Sequence, residues 1–300
     1  MKKQFSNVLM LIAIAVATAL IWAARDELAL AIHSFSLAFL VMTYAATLTL
    51  NLVLWIVFHA SAGGGSEYSL TSRMFFGGQV AKYIPGKVWG VVFQATLKST
   101  SIPVGNIIQA NIVVYVLTVL STVFAGLMLL VYPISGLLTI VLFVAGATLS
   151  SYFIFSDRLY LLLQRVSRFS KRFELASAVP GVEFSLFIQG LVFVVVTSLY
   201  VVSNVFLVYV FYDFALSEIL NLVAYLSIAW LAGAVVAVTP AGLGVREIVF
   251  VTIGTVGDPA NFELFASIAI VARVIQVGQD LLSAFLAPLI VRLVEIKKMT

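Results

Sequence analysis

Long apolar runs separated by short polar segments dominate the chain. A membrane-spanning helix needs about 20 consecutive apolar residues. On this criterion, full spans are predicted at 8–24, 35–58, 107–131, 136–156, 184–212 and 262–290. Two further apolar regions, 70–98 and 219–257, are interrupted by proline and glycine. The pattern therefore predicts about six full helices and two broken regions.

The two broken regions share one sequence pattern, and the second copy lies 155 positions after the first. The residues that match without a gap are Ser72, Gly78, Val80 and Pro85 in the first copy and Ser227, Gly233, Val235 and Pro240 in the second. In each copy a further proline, Pro103 or Pro259, precedes a long apolar helix. Matching interrupted segments in two halves of a membrane protein indicate a transport site.

Composition supports an integral membrane protein. Hydrophobic residues make up 62% of the chain and charged residues 10%, which excludes a separate soluble domain. The absence of cysteine excludes disulfides and thiolate metal sites. We expect one integral membrane domain over 1–300, in which 8–24 is an uncleaved signal-anchor.

Charged residues outside the spans segregate by sign. Basic residues occupy one set of loops: Lys2, Lys3, Arg73, Lys98, the segment 157–183, Arg292, Lys297 and Lys298. Acidic residues occupy the other set: Asp26, Glu27, Asp213, Glu218, Asp258 and Glu263. The positive-inside rule then predicts an inner-membrane protein with both termini in the cytoplasm. The basic segment 157–183 joins repeat halves of about 30–156 and 184–290, and its basic face is expected to contact anionic headgroups.

This orientation makes the two halves inverted, because 35–58 runs outward to inward and 184–212 runs inward to outward. The predicted fold class is therefore an all-α polytopic membrane protein with six full transmembrane helices and two re-entrant hairpins in an inverted repeat. Irregular backbone at membrane depth is tolerated only where protein buries it or it lines a cavity. An alternative stays open, in which 70–98 lies on the cytoplasmic surface and 219–239 is an ordinary span.

Charged residues near the two predicted turns form the candidate binding site. In a membrane each needs a partner or a wet cavity. The second limb of each hairpin would point its helix N-terminus, with unpaired N–H groups, toward the membrane centre. With the basic side chains, these ends suit an anion such as phosphate. The candidate substrate-binding residues are Lys82, Pro85, Gly86, Lys87, Pro240, Gly242, Gly244, Arg246, Glu247, Arg273 and Asp280.

Structural explanations remain open for the same residues. The glycines and prolines also suit helix breaking and close packing. Arg273 and Asp280, seven positions apart on one helix face, could simply neutralise each other. His33 and His59 are isolated, so no metal site is predicted. No phosphate-binding loop and no catalytic constellation is present, so we expect neither a cofactor nor an enzyme, and no nucleic-acid partner.

The stretches Ala81–Gly90 and Pro240–Glu247 resemble the two signature motifs of the lysylphosphatidylglycerol synthase transmembrane-region family, which includes the flippase part of the multiple peptide resistance factor. The resemblance spans nearly the whole chain. One departure is Ala241, where the family usually has glycine. The resemblance implies an inner-membrane protein that handles lipids, with envelope-biosynthesis enzymes as partners. The aminoacyl-transfer domain of larger relatives is not present in this sequence, so that activity is not carried over.

Three functions are compatible with these features. The first is a flippase or transporter for an anionic lipid, either a phospholipid or a polyprenyl-phosphate-linked sugar. The second is a non-transporting membrane subunit of a cell-envelope glycosyltransferase or lipid-modifying complex. The third is a membrane-embedded lipid transferase with Glu247 or Asp280 as its base. The inverted broken segments and the absence of a catalytic constellation favour the first.

Overall fold

The structure is a computed structural model that describes most of the predicted membrane domain. The described residues are 36–63, 67–84, 88–97, 102–154, 186–210, 214–236, 240–256 and 259–299, with five isolated residues between 11 and 22. The predicted span 8–24, apart from those isolated residues, and the basic segment 157–183 lie outside this part. So do Pro85, Gly86 and Lys87.

The described part of the chain is helical and contains no strand. Its nine α-helices are α1 (Leu37–Gly63), α2 (Tyr68–Ala81), α3 (Trp89–Leu97), α4 (Val104–Val131), α5 (Gly136–Ile154), α6 (Leu186–Tyr209), α7 (Leu216–Val235), α8 (Val245–Thr255) and α9 (Phe262–Met299). Two short 3-10 turns, Pro240–Gly242 and Pro259–Asn261, precede α8 and α9. The prediction of an all-α fold is confirmed for these residues.

Five of these helices are long and apolar enough to cross a membrane. The qualifying segments are Leu37–Gly63, Val104–Val131, Phe187–Tyr209, Leu216–Val235 and Pro259–Glu295. They include the predicted spans that start at 35, 107, 184 and 262. The predicted span 136–156 corresponds to a shorter apolar helix, whose apolar part is Gly136–Tyr152. The molecule thus has the helices expected of a multi-pass membrane protein.

Both broken regions divide into two helices at the predicted positions. α2 ends at Ala81 and α3 begins at Trp89, while α7 ends at Val235 and α8 begins at Val245. The two helices of each pair pack against each other, so we call α2 and α3 the first hairpin and α7 and α8 the second hairpin. One difference concerns length. α7 has 20 residues, or about 30 Å, which is long enough for the ordinary span that the alternative places at 219–239, whereas the main prediction was a re-entrant hairpin over 219–257.

Aromatic side chains form much of the buried core around the first hairpin. Phe58 of α1 and Phe75 and Phe76 of α2 are almost completely buried, and their rings contact one another. A second core surrounds Phe250 of α8, which contacts the ring of Phe265 on α9. Lipid tails are as apolar as these rings, so in a membrane the packing itself stabilises such contacts.

Polar contacts fix the start of α2. A carboxylate oxygen of Glu295, near the end of α9, accepts a hydrogen bond from the backbone N–H of Ser69 at 3.0 Å. The Thr71 hydroxyl lies 2.9 Å from His59 Nδ1 and accepts a bond from the Trp55 indole at 3.3 Å. α2 also packs along α9. The first hairpin therefore contacts α9 both at the start of α2 and near its end, where Lys82 lies beside Asp280.

Candidate functional site

The turn of the second hairpin adopts a left-handed backbone. Ala241, Gly242 and Gly244 have φ values of 48°, 76° and 80°. Glycine adopts such values freely, whereas a residue with a Cβ is strained by about 1–2 kcal/mol. Among the described residues, Ala241 is the one non-glycine residue with a positive φ, so the strain falls on it. Backbone strain of this kind concentrates at functional sites.

The Arg246 side chain lies in a space that two glycines leave open. A Cβ added to Gly233 would overlap the Arg246 side chain and lie 2.7 Å from its Nε. A Cβ added to Gly242 would lie 2.8 Å from the same Nε and 3.0 Å from the Gly233 Cα. The Arg246 guanidinium also lies over the Trp230 ring, 5.3 Å from its centroid. The glycines of the second hairpin thus position a cation against an aromatic face.

Arg273 of α9 reaches the same turn. Its Nη2 donates a hydrogen bond to the Ala241 carbonyl at 3.1 Å, and its Nη1 donates to Oε1 of Gln276 at 2.9 Å. Oε1 of Gln276 also accepts a bond from Nη1 of Arg246 at 3.4 Å. Two guanidinium groups from different helices therefore converge on one amide oxygen.

The negative charge beside these two cations is weakly paired. Oε1 of Glu247 lies 3.7 Å from Nε of Arg273, which is an ion pair without a hydrogen bond. Within the described part of the chain, Oε2 of Glu247 and the Nε atoms of Arg246 and Arg273 are buried without a hydrogen-bond partner. Buried polar groups are normally paired. Three such atoms in one place indicate a site that an additional polar group completes.

A second charged group joins the tip of the first hairpin to α9. Lys82 Nζ lies 2.8 Å from Oδ2 of Asp280, and the Tyr83 hydroxyl donates to the same oxygen at 2.6 Å. Lys82 also donates to Gln79 at 3.1 Å. The Tyr83 ring lies beneath the guanidinium of Arg273, with 5.6 Å from Cζ to the ring centroid. Tyr83 therefore connects the two charged groups.

Most of the predicted site residues in the described part of the chain occur in this assembly. They are Gly242, Gly244, Arg246, Glu247, Arg273, Asp280 and Lys82, with Pro240 at the start of the 3-10 turn. The suggestion that Arg273 and Asp280 neutralise each other is wrong. Arg273 pairs with Glu247, and Asp280 pairs with Lys82. The reason is that each hairpin tip presents its own charged partner to α9.

Three contributors were not among the predicted site residues. Tyr83 supplies both a hydroxyl and a ring, Trp230 supplies a ring, and Gln276 supplies the shared acceptor. The sequence contained a signal for each: Tyr83 follows Lys82 directly, Trp230 lies inside the repeated segment, and Gln276 lies one turn from Arg273. Their roles depend on contacts between segments far apart in the chain, which spacing alone does not predict.

The first hairpin contains a neutral counterpart. A Cβ added to Gly78 would lie 2.6 Å from the Gln94 side chain on α3, as one added to Gly233 meets Arg246 on α8. Gln94 is buried and exchanges amide hydrogen bonds with Asn111 of α4, in one direction at 3.4 Å. The matched glycines of the two copies therefore perform the same packing role, although an amide replaces the guanidinium.

Among the described residues, no group of three or more His, Cys, Asp or Glu side chains could hold a metal ion. The site is instead a set of three basic and two acidic side chains with aromatic and amide neighbours. No protein-family model matches the chain, and no match was found among the curated proteins or the solved structures.

Proposed function

We propose that this protein is a membrane flippase or transporter for an anionic lipid, a phospholipid or a polyprenyl-phosphate-linked sugar. Its phosphate would bind between the two hairpin turns. The observation that carries the proposal is the convergence of Arg246 and Arg273 on the one oxygen of Gln276. The two guanidinium groups carry like charges, so an anion between them would relieve their mutual repulsion.

Electrostatics supports an anionic ligand. Like charges repel more strongly near a low-dielectric interior than in water, and Glu247 at 3.7 Å offsets only one of the two cations. Both guanidinium groups lie over aromatic rings, an arrangement that leaves in-plane N–H donors for further bonds. A phosphate oxygen suits such donors because its charge-assisted bonds are short and strong.

The start of α8 adds backbone donors. The helix begins at Val245, directly after Gly244. The N–H of Ile248 donates to the Gly244 carbonyl, which is the first bond of the helical ladder. The amides in the first turn of a helix have no intrahelical acceptor. They lie next to Arg246, so the positive end of the helix dipole adds to the side-chain charge.

The proposed topology has six full spans and two re-entrant hairpins in an inverted repeat, with both termini cytoplasmic. The 14 and 9 residues of α2 and α3 extend about 21 Å and 14 Å, which is too short to cross a core of about 30 Å. The equivalent packing of Gly78 and Gly233 supports the repeat. α7 is then the longer first limb of the second hairpin.

Single-cysteine labelling tests this orientation cleanly because the chain has no cysteine of its own. A cysteine placed at Ser167, in the basic segment, should resist an impermeant reagent applied to intact cells. It should react only after the cells are opened. Rapid labelling from outside would reverse the proposed orientation. The proposed location is the inner membrane, and the proposed family is the one whose two motifs the sequence resembles.

Reconstitution tests the function directly. Purified protein in phosphatidylcholine liposomes should move fluorescent NBD-phosphatidylglycerol between leaflets, as measured by the fraction that external dithionite reduces. The same probe in protein-free liposomes corrects for protein-independent movement, and NBD-phosphatidylcholine, whose headgroup has no net charge, tests selectivity for the anion. The protein should accelerate the anionic probe selectively. If neither NBD-phosphatidylglycerol nor an NBD-labelled polyprenyl phosphate moves faster than in empty liposomes, the non-transporting subunit becomes the better description.

A further inference from the structure

Asp280 is a buried carboxylate in the middle of a long helix. It accepts two short bonds, from Lys82 Nζ at 2.8 Å and from the Tyr83 hydroxyl at 2.6 Å. Its side chain is 8% exposed, whereas that of Lys82 is 31% exposed. An ammonium has three donors, and those of Lys82 reach Asp280 and Gln79. Lys82 is therefore the more accessible partner of a buried acid.

Asp280 also belongs to a connection between the two hairpins. It holds the end of the first hairpin, while Arg273, about 10 Å earlier on α9, holds the Ala241 carbonyl in the second hairpin. Other titratable groups on elements packed against this part of α9 are Tyr44 on α1, which reaches Gly278, and Arg246 and Glu247 on α8. α6 contributes no charged residue. A change of charge at Asp280 would therefore alter the electrostatic potential at the tips of both hairpins.

The five charged side chains determine the net charge of the site when no lipid is bound. Lys82, Arg246 and Arg273 are basic and Glu247 and Asp280 are acidic, so the net charge is about +1 when all five are ionised. A bound phosphodiester reduces that charge to zero. A phosphodiester together with one proton restores +1. Moving one charge across a membrane costs or yields about 2.3 kcal/mol per 100 mV. A cycle that carries one lipid anion together with one proton moves no net charge, so the membrane potential neither drives nor opposes it.

Of the two acids, Asp280 is the one suited to bind that proton. Glu247 lies 3.7 Å from the guanidinium of Arg273, which is held in place by its bonds to Gln276 and to the Ala241 carbonyl. Asp280 depends on Lys82, whose ammonium can turn toward a bound phosphate. Once Lys82 turns away, a carboxylate that is 8% exposed has lost its countercharge, and burial then favours the neutral acid.

We propose that Asp280 is the proton-binding site of this protein and that one proton moves with each anionic headgroup. The proton comes from water on the side to which the site is open and forms an O–H bond on an Asp280 carboxylate oxygen as Lys82 moves to the phosphate. It returns to water on the opposite side when the lipid leaves and Lys82 pairs with Asp280 again. No bond of the lipid breaks. This proposal rests on the proposed transport function.

The test uses the full chain in phosphatidylcholine liposomes with NBD-phosphatidylglycerol. The quantity measured is the final ratio of probe in the two leaflets, with and without an imposed gradient of one pH unit. For one proton per lipid, the gradient should shift this ratio up to about tenfold, because one pH unit corresponds to 1.36 kcal/mol. Asp280→Asn should abolish the shift, although its amide oxygen still accepts bonds from Lys82 and Tyr83.

Two further variants separate proton binding from a structural role. Asp280→Glu keeps a titratable carboxylate and should retain a shift of the leaflet ratio. Glu247→Gln removes the other acid of the assembly and should also retain the shift, whatever its rate. For each variant, the final leaflet ratio with the pH gradient is compared with the ratio at equal pH. Because both are final ratios, a change in transport rate does not affect the comparison.

The outcomes distinguish the two proposals. If neither NBD-phosphatidylglycerol nor the polyprenyl phosphate probe moves in wild-type liposomes, the proposed transport function fails, and the proton site fails with it. If wild-type protein moves the lipid but the pH gradient does not change the leaflet ratio of the probe, the transport function is supported and the proton proposal is overturned. A shift in Asp280→Asn equal to that of wild type overturns it as well, and a loss of the shift in Glu247→Gln alone assigns the proton to Glu247 instead.

Discussion

Replacing Arg246 by alanine should slow lipid movement while leaving the fold intact. The substitution removes one of two guanidinium groups beside Gln276, and Gln276 retains its 2.9 Å bond from Arg273. No buried acceptor therefore loses its last partner, and the space beside Gly233 simply opens. Folding should survive because the cost of an unsatisfied buried group is avoided.

The expected effect on transport follows from the bond to phosphate. A hydrogen bond to a charged group contributes about 1.5–3 kcal/mol, and each 1.4 kcal/mol is a factor of ten. Arg246→Ala should therefore reduce the initial rate of NBD-phosphatidylglycerol movement by about 10- to 150-fold at subsaturating lipid. Arg246→Lys should recover part of this loss, because lysine keeps the charge but lacks the planar fork of donors.

Arg292→Ala is the matched control. It removes the same side chain from an exposed position of α9, remote in sequence from the turn contacts, and should leave the rate within about twofold. Rates are normalised to the amount of reconstituted protein, measured after size-exclusion chromatography. If Arg246→Ala also stays within twofold of wild type while remaining folded, the guanidinium pair does not bind the transported anion.

The remaining predictions concern the turn and its neighbours. Gly233→Ala should displace Arg246 and slow transport as Arg246→Ala does, whereas Gly78→Ala presses only on the tip of a neutral amide and should cost no more than a few-fold in the same assay. Ala241→Gly should relieve the left-handed strain and raise the melting temperature in detergent by about 2 °C, and a lower value would show that the strain is compensated. Tyr83→Phe keeps the ring beneath Arg273 but removes a bond to a carboxylate, so it should destabilise by about 1.5–3 kcal/mol, seen as a lower melting temperature. No decrease would mean that the hydroxyl bond contributes little.

The helices were largely predictable because apolar run length and helix breakers are local properties. The first helix of each hairpin ends shortly before the matched proline, at Ala81 before Pro85 and at Val235 before Pro240. The length of α7 was harder to predict, because an apolar stretch of 20 residues suits both a full span and a limb that stops short. Hydropathy does not distinguish these cases, since it contains no information about depth.

The site was predictable in its members but not in its pairing. Helical spacing correctly places Arg273, Gln276 and Asp280 along one face of α9. Spacing within one helix does not determine which distant side chain contacts each of them. In the structure Glu247 pairs with Arg273 and Lys82 pairs with Asp280. Arg246 and Glu247 are adjacent in sequence, yet the ion pair of Glu247 is with Arg273.

The neutral amide pair of the first half has a consequence for direction. Gly78 and Gly233 occupy matched positions, yet Gln94 rests on the first and Arg246 on the second. A strictly symmetric duplicate would offer an incoming lipid the same chemistry from either leaflet. In the proposed inverted topology, an anion approaching from one leaflet would meet amides first, and from the other it would meet guanidinium groups first. The lipid concentration needed for a half-maximal rate would then differ between the two leaflets, although this asymmetry alone drives no net movement in either direction.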